Sequence, residues 1–126
     1  MIQDEYIKFE TAKLLKEKGF DEKCDYCYAF FDEDDIRVLE LKHYISGLSL
    51  TEKRYPYVTQ SVAMKWLREV HNLYINIFVT WKNKIPHYQW SIDNLITQDT
   101  IYETPCLEKY EGACEAAIKY CLENLI

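Results

Sequence analysis

The chain has 126 residues, a net charge of −6, 48% hydrophobic and 29% charged residues, and eleven tyrosines against only three glycines. That length suffices for one domain with its own core, and no apolar run approaches the length of a membrane span. Scarce glycine argues against a phosphate-cradling loop, and the acidic balance leaves no polybasic patch for a duplex backbone.

After a short polar lead, FETAKLLKEKGF predicts a helix over 9–18, with Phe9, Ala12, Leu15 and Leu14 on its apolar side. Gly19 suits the left-handed position past its end, so that Phe20 folds back in a Schellman closure. Lys13, Lys16 and Lys18 gather where the helix dipole favours them. DYCYAFF (25–31) and IRVLEL (36–41) read as strands of a hairpin around the acidic turn DEDD. The segment 42–58, broken by Gly47 and Pro56, reads as a loop with a little strand near Tyr55–Tyr57.

The centre of the chain is TQSVAMKWLREVHNLYINIFVTW (59–81). Val62, Ala63, Trp66, Leu67 and Val70 recur at steps of three and four, which predicts a helix over 60–71 capped by Thr59 or Ser61. Asn72 ends it in the left-handed region. Ile75, Ile77, Val79 and Trp81 then alternate with polar or aromatic residues, which predicts a strand over 73–81 with one well-buried face. KNK (82–84) is a turn, and 86–93 returns as a strand with Pro86 at its start. A short strand follows near Thr100–Tyr102. Thr104-Pro105 opens a last helix, to 124, carrying Leu107, Tyr110, Cys114, Ala117, Ile118, Cys121, Leu122 and Leu125 on its apolar side.

The expected fold is α+β: three helices packed on one mainly antiparallel sheet of four to five strands, in a single domain spanning 1–126. Five cysteines, an odd number, and an acidic N-terminus without an apolar stretch point to a cytoplasmic chain with reduced thiols.

Candidate chemistry is thin. Cys24 and Cys27 form a C-x2-C, but zinc wants a second close pair, and Cys106, Cys114 and Cys121 are single. A redox pair would sit at a helix N-terminus after a strand, and this one does the reverse. Small buried thiols are the simpler account, with a metal- or thiol-dependent protein as the alternative. Asp32 to Asp35 lack the glycine and the distant glutamate of a calcium loop. His43, His71 and His87 stand without partners in motif spacing, and Ser61 lacks the glycines of a nucleophile elbow. No catalytic residue, cofactor or metal ligand is therefore assigned.

What remains is a face. Residues 59–98 carry a small basic excess between two acidic flanks. Within it, Lys65, Arg68, Trp81, Lys82, Lys84, Tyr88 and Trp90 form a candidate binding face, rings interleaved with cations. Core packing is the bland account of the rings. A stacking platform for single-stranded nucleic acid is the functional one. A helix-turn-helix is excluded by the strand pair between the first two helices.

The stretches FETAKLLKEKGFDEKC (9–24), TQSVAMKWLREVHNLYINI (59–77) and YEGACEAAIKYCLENLI (110–126) resemble a group of short uncharacterised proteins of phages and prophages of gut Bacteroides-type bacteria. Shared are an A-LLKEKGF helix, a TQS…WLRE helix entering a strand, and a C-terminal YE-A helix, whereas 42–58 diverges. The resemblance covers both ends and the middle of the chain, and implies a mobile-element origin without carrying any catalytic residue. The function expected is a non-enzymatic accessory module that binds a protein partner or itself. Nucleic-acid binding is the alternative, and no membrane partner is expected.

Overall fold

The computed structural model describes residues 4–40, 53–102 and 106–126. Its fold is α+β with three helices, and by packing it divides into two compact units, 1–59 and 60–126. The expectation of one sheet of four to five strands is corrected: the described strands form two separate three-stranded antiparallel sheets. The reason is local. Each hairpin recruits its third strand from the chain that follows it, so neither is left to seek the other.

In the first unit, helix α1 (Phe9–Glu17) ends as its sequence dictates. Gly19 has φ +93°, its N–H donates to the Lys16 carbonyl at 3.1 Å, and the Phe20 N–H reaches back to the Leu15 carbonyl at 3.0 Å. Those two bonds are the Schellman pair, and Phe20 and Leu15 are both buried. Strands β1 (Tyr26–Asp32) and β2 (Asp35–Glu40) make the expected hairpin. Asp32 and Asp35 pair across its end, the Asp32 carboxylate accepts from the Asp34 N–H at 2.9 Å, and Asp35 grips Arg37 through two bonds of 2.9 and 3.0 Å.

Strand β3 (Arg54–Pro56) lies on the other side of β1, giving the order β2-β1-β3. It overlaps the little strand expected at Tyr55–Tyr57, while 41–52, most of the expected loop, lie outside the described residues. Tyr28 and Phe30 share one sheet face with Tyr55, and α1 sets Phe9 against all three, with ring centroids 5.3–5.9 Å apart. Tyr57 continues the cluster through Tyr28 and Tyr26 to Tyr6, on which it stacks at 4.2 Å. Seven rings therefore weld α1, the lead segment and the sheet. The Tyr28 hydroxyl donates to the Ile7 carbonyl at 2.6 Å, giving that polar tip a backbone partner.

In the second unit, helix α2 (Gln60–His71) runs through Asn72, at φ +58°, into strand β4 (Leu73–Lys82). Strand β5 (Ile85–Asn94) pairs with it over ten consecutive residues, and β6 (Thr100–Tyr102) adds to β5. Helix α3 (Tyr110–Tyr120) continues into a π-helical turn at Cys121–Leu125. It begins later than the expected 105. Leu107 is spent on the sheet, exchanging two bonds with Tyr88 at 2.7 and 2.8 Å, so its backbone is unavailable to a helix. The expected cap, Thr104-Pro105, lies outside the described residues.

Helices α2 and α3 pack on one face of this sheet. The buried side of α2 differs from the expected stripe: Gln60 joins Ala63, Trp66 and Leu67, while Val62 and Val70 face outward. Gln60 is drawn in because its amide donates at 3.0 Å to both the Glu111 carbonyl and the Glu115 carboxylate, tying α2 to α3. No helix among the described residues is long and apolar enough to cross a membrane.

The β4–β5 turn generates a prediction. Asn83 and Lys84 both have positive φ, 51° and 66°, the signature of a type I′ turn. Lysine pays a steric cost there that glycine does not, on the order of 1 kcal/mol. Lys84→Gly is expected to raise the thermal midpoint by a few degrees, measured by circular dichroism. An unchanged or lower midpoint would contradict this account of the turn.

Candidate interaction surface on the second hairpin

The register of β4 and β5 decides which side chains share a face. Leu73, Ile75, Ile77, Val79 and Trp81 stand opposite Asn94, Ile92, Trp90, Tyr88 and Pro86, all on the side that the helices approach. The helices cover only half of that side. Leu73, Ile75, Ile92 and Trp90 are buried, Trp90 to 2% exposure with its ring 5.1 Å from Tyr120 on α3. Further along, Val79 is 47% exposed and Trp81 68% exposed. The expectation of a strand buried along one whole face is therefore corrected: alternation holds, but the helical cover ends near Ile77.

The opposite face carries Tyr74, Asn76, Phe78, Thr80 and Lys82 beside Asp93, Ser91, Gln89, His87 and Ile85. Its polar members are knitted together. The Asp93 carboxylate accepts from Asn76 at 2.9 Å and from the Thr100 hydroxyl at 2.6 Å, and Thr80 donates to Gln89 at 2.6 Å. Tyr74, Phe78 and Ile85 on this face are exposed. The outer half of the hairpin thus shows apolar side chains on both faces, beside a turn bearing Lys82 and Lys84.

The seven residues of the candidate face divide accordingly. Trp81, Tyr88 and Trp90 share the helix-side face, but Trp90 belongs to the core and Tyr88 is half-buried, its ring 6.0 Å from Tyr110. Lys82 lies on the other face and Lys84 in the turn, both exposed. Lys65 and Arg68 are on α2, Lys65 exposed and Arg68 partly so. The rings and cations do not form one interleaved row. Trp81, Lys82 and Lys84 come together at the hairpin end. Val79, Phe78 and Ile85 were not singled out from the sequence, because alternation alone marks them as sheet residues without saying where cover stops.

The buried thiols of Cys24, Cys27, Cys114 and Cys121 are held neutral. Burial pushes Cys24 up to about 11 and Cys121 up to about 12, and raises Cys27 and Cys114 as well, with the neighbouring Cys27 adding to the shift at Cys24. None of the five cysteines forms a disulfide. Cys24 sits 3.5 Å from the Glu22 carbonyl, just before β1 begins. Among the described residues no three His, Cys, Asp or Glu side chains gather into a group that would hold a metal ion. His71 packs its ring at 4.7 Å on Trp66, the exposed His87 Nδ1 lies 3.2 Å from the Ile85 carbonyl, and His43 is outside the described residues.

No protein-family model, curated protein or solved structure matches the chain.

A thiol buried with its proton favours the fold while that proton stays on. The folded pKa is raised above the ordinary 9.0, so this contribution is complete below pH 9 and drains away as pH climbs towards 12. Denaturant melts at pH 8 and pH 10.5 should show a loss of stability at the higher pH that is smaller in Cys121→Ala. An equal loss in both proteins would contradict the role given to this thiol.

Proposed function

We propose that this chain is a non-enzymatic interaction module of mobile-element origin, working in the cytoplasm, that holds another protein through the outer half of the β4–β5 hairpin. The observation that carries the reading is Trp81, 68% exposed on the same strand face where Trp90 is fully packed. Exposing a tryptophan costs free energy that packing would recover, and tryptophans of this kind dominate binding energy at protein interfaces. Val79 beside it, and Phe78 and Ile85 on the opposite face, supply apolar area, and Lys82 and Lys84 give the rim a sign. The resemblance of the three helical segments to phage proteins supports the origin, and the neutral, buried thiols support binding over thiol chemistry.

A second reading has its own observation. Trp81 with Lys82 and Lys84 at one hairpin end is a minimal stacking-and-charge site for single-stranded nucleic acid, with Lys65 and Arg68 available on α2. Its partner would be lost steeply with salt, because bound phosphates release counterions.

One experiment separates the two. A photo-crosslinking residue placed at Trp81 of the full chain in cells, with the exposed Glu123 as control position, is expected to yield discrete protein adducts at 81 and none at 123. Nuclease-sensitive adducts that vanish with salt would move the second reading to first place. Because the crosslinker replaces Trp81 itself, a second one at the neighbouring Val79 accompanies it, and no adduct of either kind at 81 or 79 would overturn the proposal. Once a partner is in hand, Trp81→Ala should weaken it by about tenfold or more.

A further inference from the structure

The hairpin has an edge as well as faces. Tyr88 spends its N–H and its carbonyl on Leu107, and the Asn94 N–H donates to the Asp99 carbonyl at 2.9 Å, all directed away from β4. In an antiparallel ladder, residues whose groups point away from the partner strand are the non-hydrogen-bonded pairs. Tyr88 is opposite Val79, and Asn94 is opposite Leu73. Hence Leu73, Ile75, Ile77, Val79 and Trp81 aim their own N–H and carbonyl groups off the sheet. Among the described residues nothing pairs with that side of β4, which ends the order β4-β5-β6.

Proteins usually blunt such an edge with charges, proline, a bulge or brevity. The strand β2, also at an edge, is blunted: Asp35, Arg37 and Glu40 interrupt it, and its register against β1 slips near the turn. The strands β3 and β6 have three residues each. By contrast β4 has ten residues in unbroken register, no proline, and no charge from Leu73 to Trp81. It is built as an edge that expects to be covered.

We infer that the occupant is β4 of a second copy of this chain, paired antiparallel about Phe78 so that two three-stranded sheets become one of six strands. The inference rests on the interaction reading above and names its partner. An uncharged strand meets itself without repulsion. In this register Ile77 faces Val79 and Ile75 faces Trp81, so the outward-pointing backbone groups bond to each other. Lys82 of one copy falls opposite Tyr74 of the other, whose same-face neighbour is Asp93. A cation therefore meets a ring and a carboxylate already fixed by Asn76 and Thr100.

Light scattering of the purified full chain tests the pairing. The wild type should show twice the chain mass. Val79→Pro should show half of that, because its missing N–H points off the sheet and leaves the β4–β5 ladder whole. Should Val79→Pro fail to fold by circular dichroism, a cysteine scan answers the same question. Phe78→Cys, at the centre of a non-hydrogen-bonded pair about 4.5 Å apart, should form an intermolecular disulfide under mild oxidation. Val79→Cys, opposite Ile77, should not exceed the wild-type background. A monomeric wild type at the highest soluble concentration overturns the inference, as does a dimer that persists in folded Val79→Pro without crosslinking at 78. A monomer that still yields protein adducts at position 81 would sink self-pairing and leave the interaction reading standing. A monomer without adducts would remove both.

Discussion

Ten consecutive antiparallel pairs, from Leu73 against Asn94 to Lys82 against Ile85, decide which face each side chain of the second hairpin takes. Strands longer than the helices that cover them must project, and these do. Helix α2 enters β4 at one end through Asn72, and α3 sets Tyr120 against Trp90. The hydrophobic gain from covering is collected at Leu73, Ile75, Ile92 and Trp90, where apolar area leaves water. At Val79 and Trp81 the same alternation continues without cover. Two tryptophans on one sheet face thus have opposite roles, and the length of the ladder relative to the helices is what separates them.

Residues 4–59 solve their packing differently. The sheet β2-β1-β3 is small, and its third strand has three residues. Aromatic rings make up for the short ladder. Phe9 meets Tyr28, Phe30 and Tyr55, and Tyr57 carries the contact on to Tyr6. Offset and edge-on ring pairs add to the burial of area itself. Lys16 completes the join by donating to the Arg54 carbonyl at 2.9 Å while lying over the Tyr55 ring. Five of the eleven tyrosines, Tyr6, Tyr26, Tyr28, Tyr55 and Tyr57, belong to this ring cluster.

Local signals were legible, and non-local choices were not. Gly19 and Asn72 mark helix ends because left-handed backbone is a property of single residues, and both adopt it. The two hairpins follow from alternation and turn chemistry within about twenty residues. Which strand a hairpin takes as its third is settled by pairing energies between distant segments, so one large sheet and two small ones share the same one-dimensional pattern. The start of α3 was misplaced for a related reason: Leu107 keeps helical spacing with Tyr110 and Cys114, but Tyr88 claims its backbone. On α2, Gln60 is buried because two acceptors on α3 receive its amide, which hydropathy does not record. At the candidate face Trp81, Lys82 and Lys84 are exposed while Trp90 is core, a difference set by each ring's position along a covered strand, which composition does not show.

The distribution of ionisable groups bears on what this arrangement does. Asp32 and Asp35 are engaged in the first turn and with Arg37, Asp93 binds two neighbours across the second sheet, and the buried thiols keep their protons. Each of these groups is spent on structure. At the end of the second hairpin Trp81, Phe78, Val79 and Ile85 face water beside the lysines, as Ile96, Tyr102 and Phe31 do elsewhere. At this hairpin end exposed apolar area coincides with a strand edge that is unpaired among the described residues. A strand or ring docked there would remove apolar area and backbone groups from water together. The same ladder that stabilises residues 60–126 thus carries Trp81, Val79 and the unpaired side of β4 beyond the helical cover.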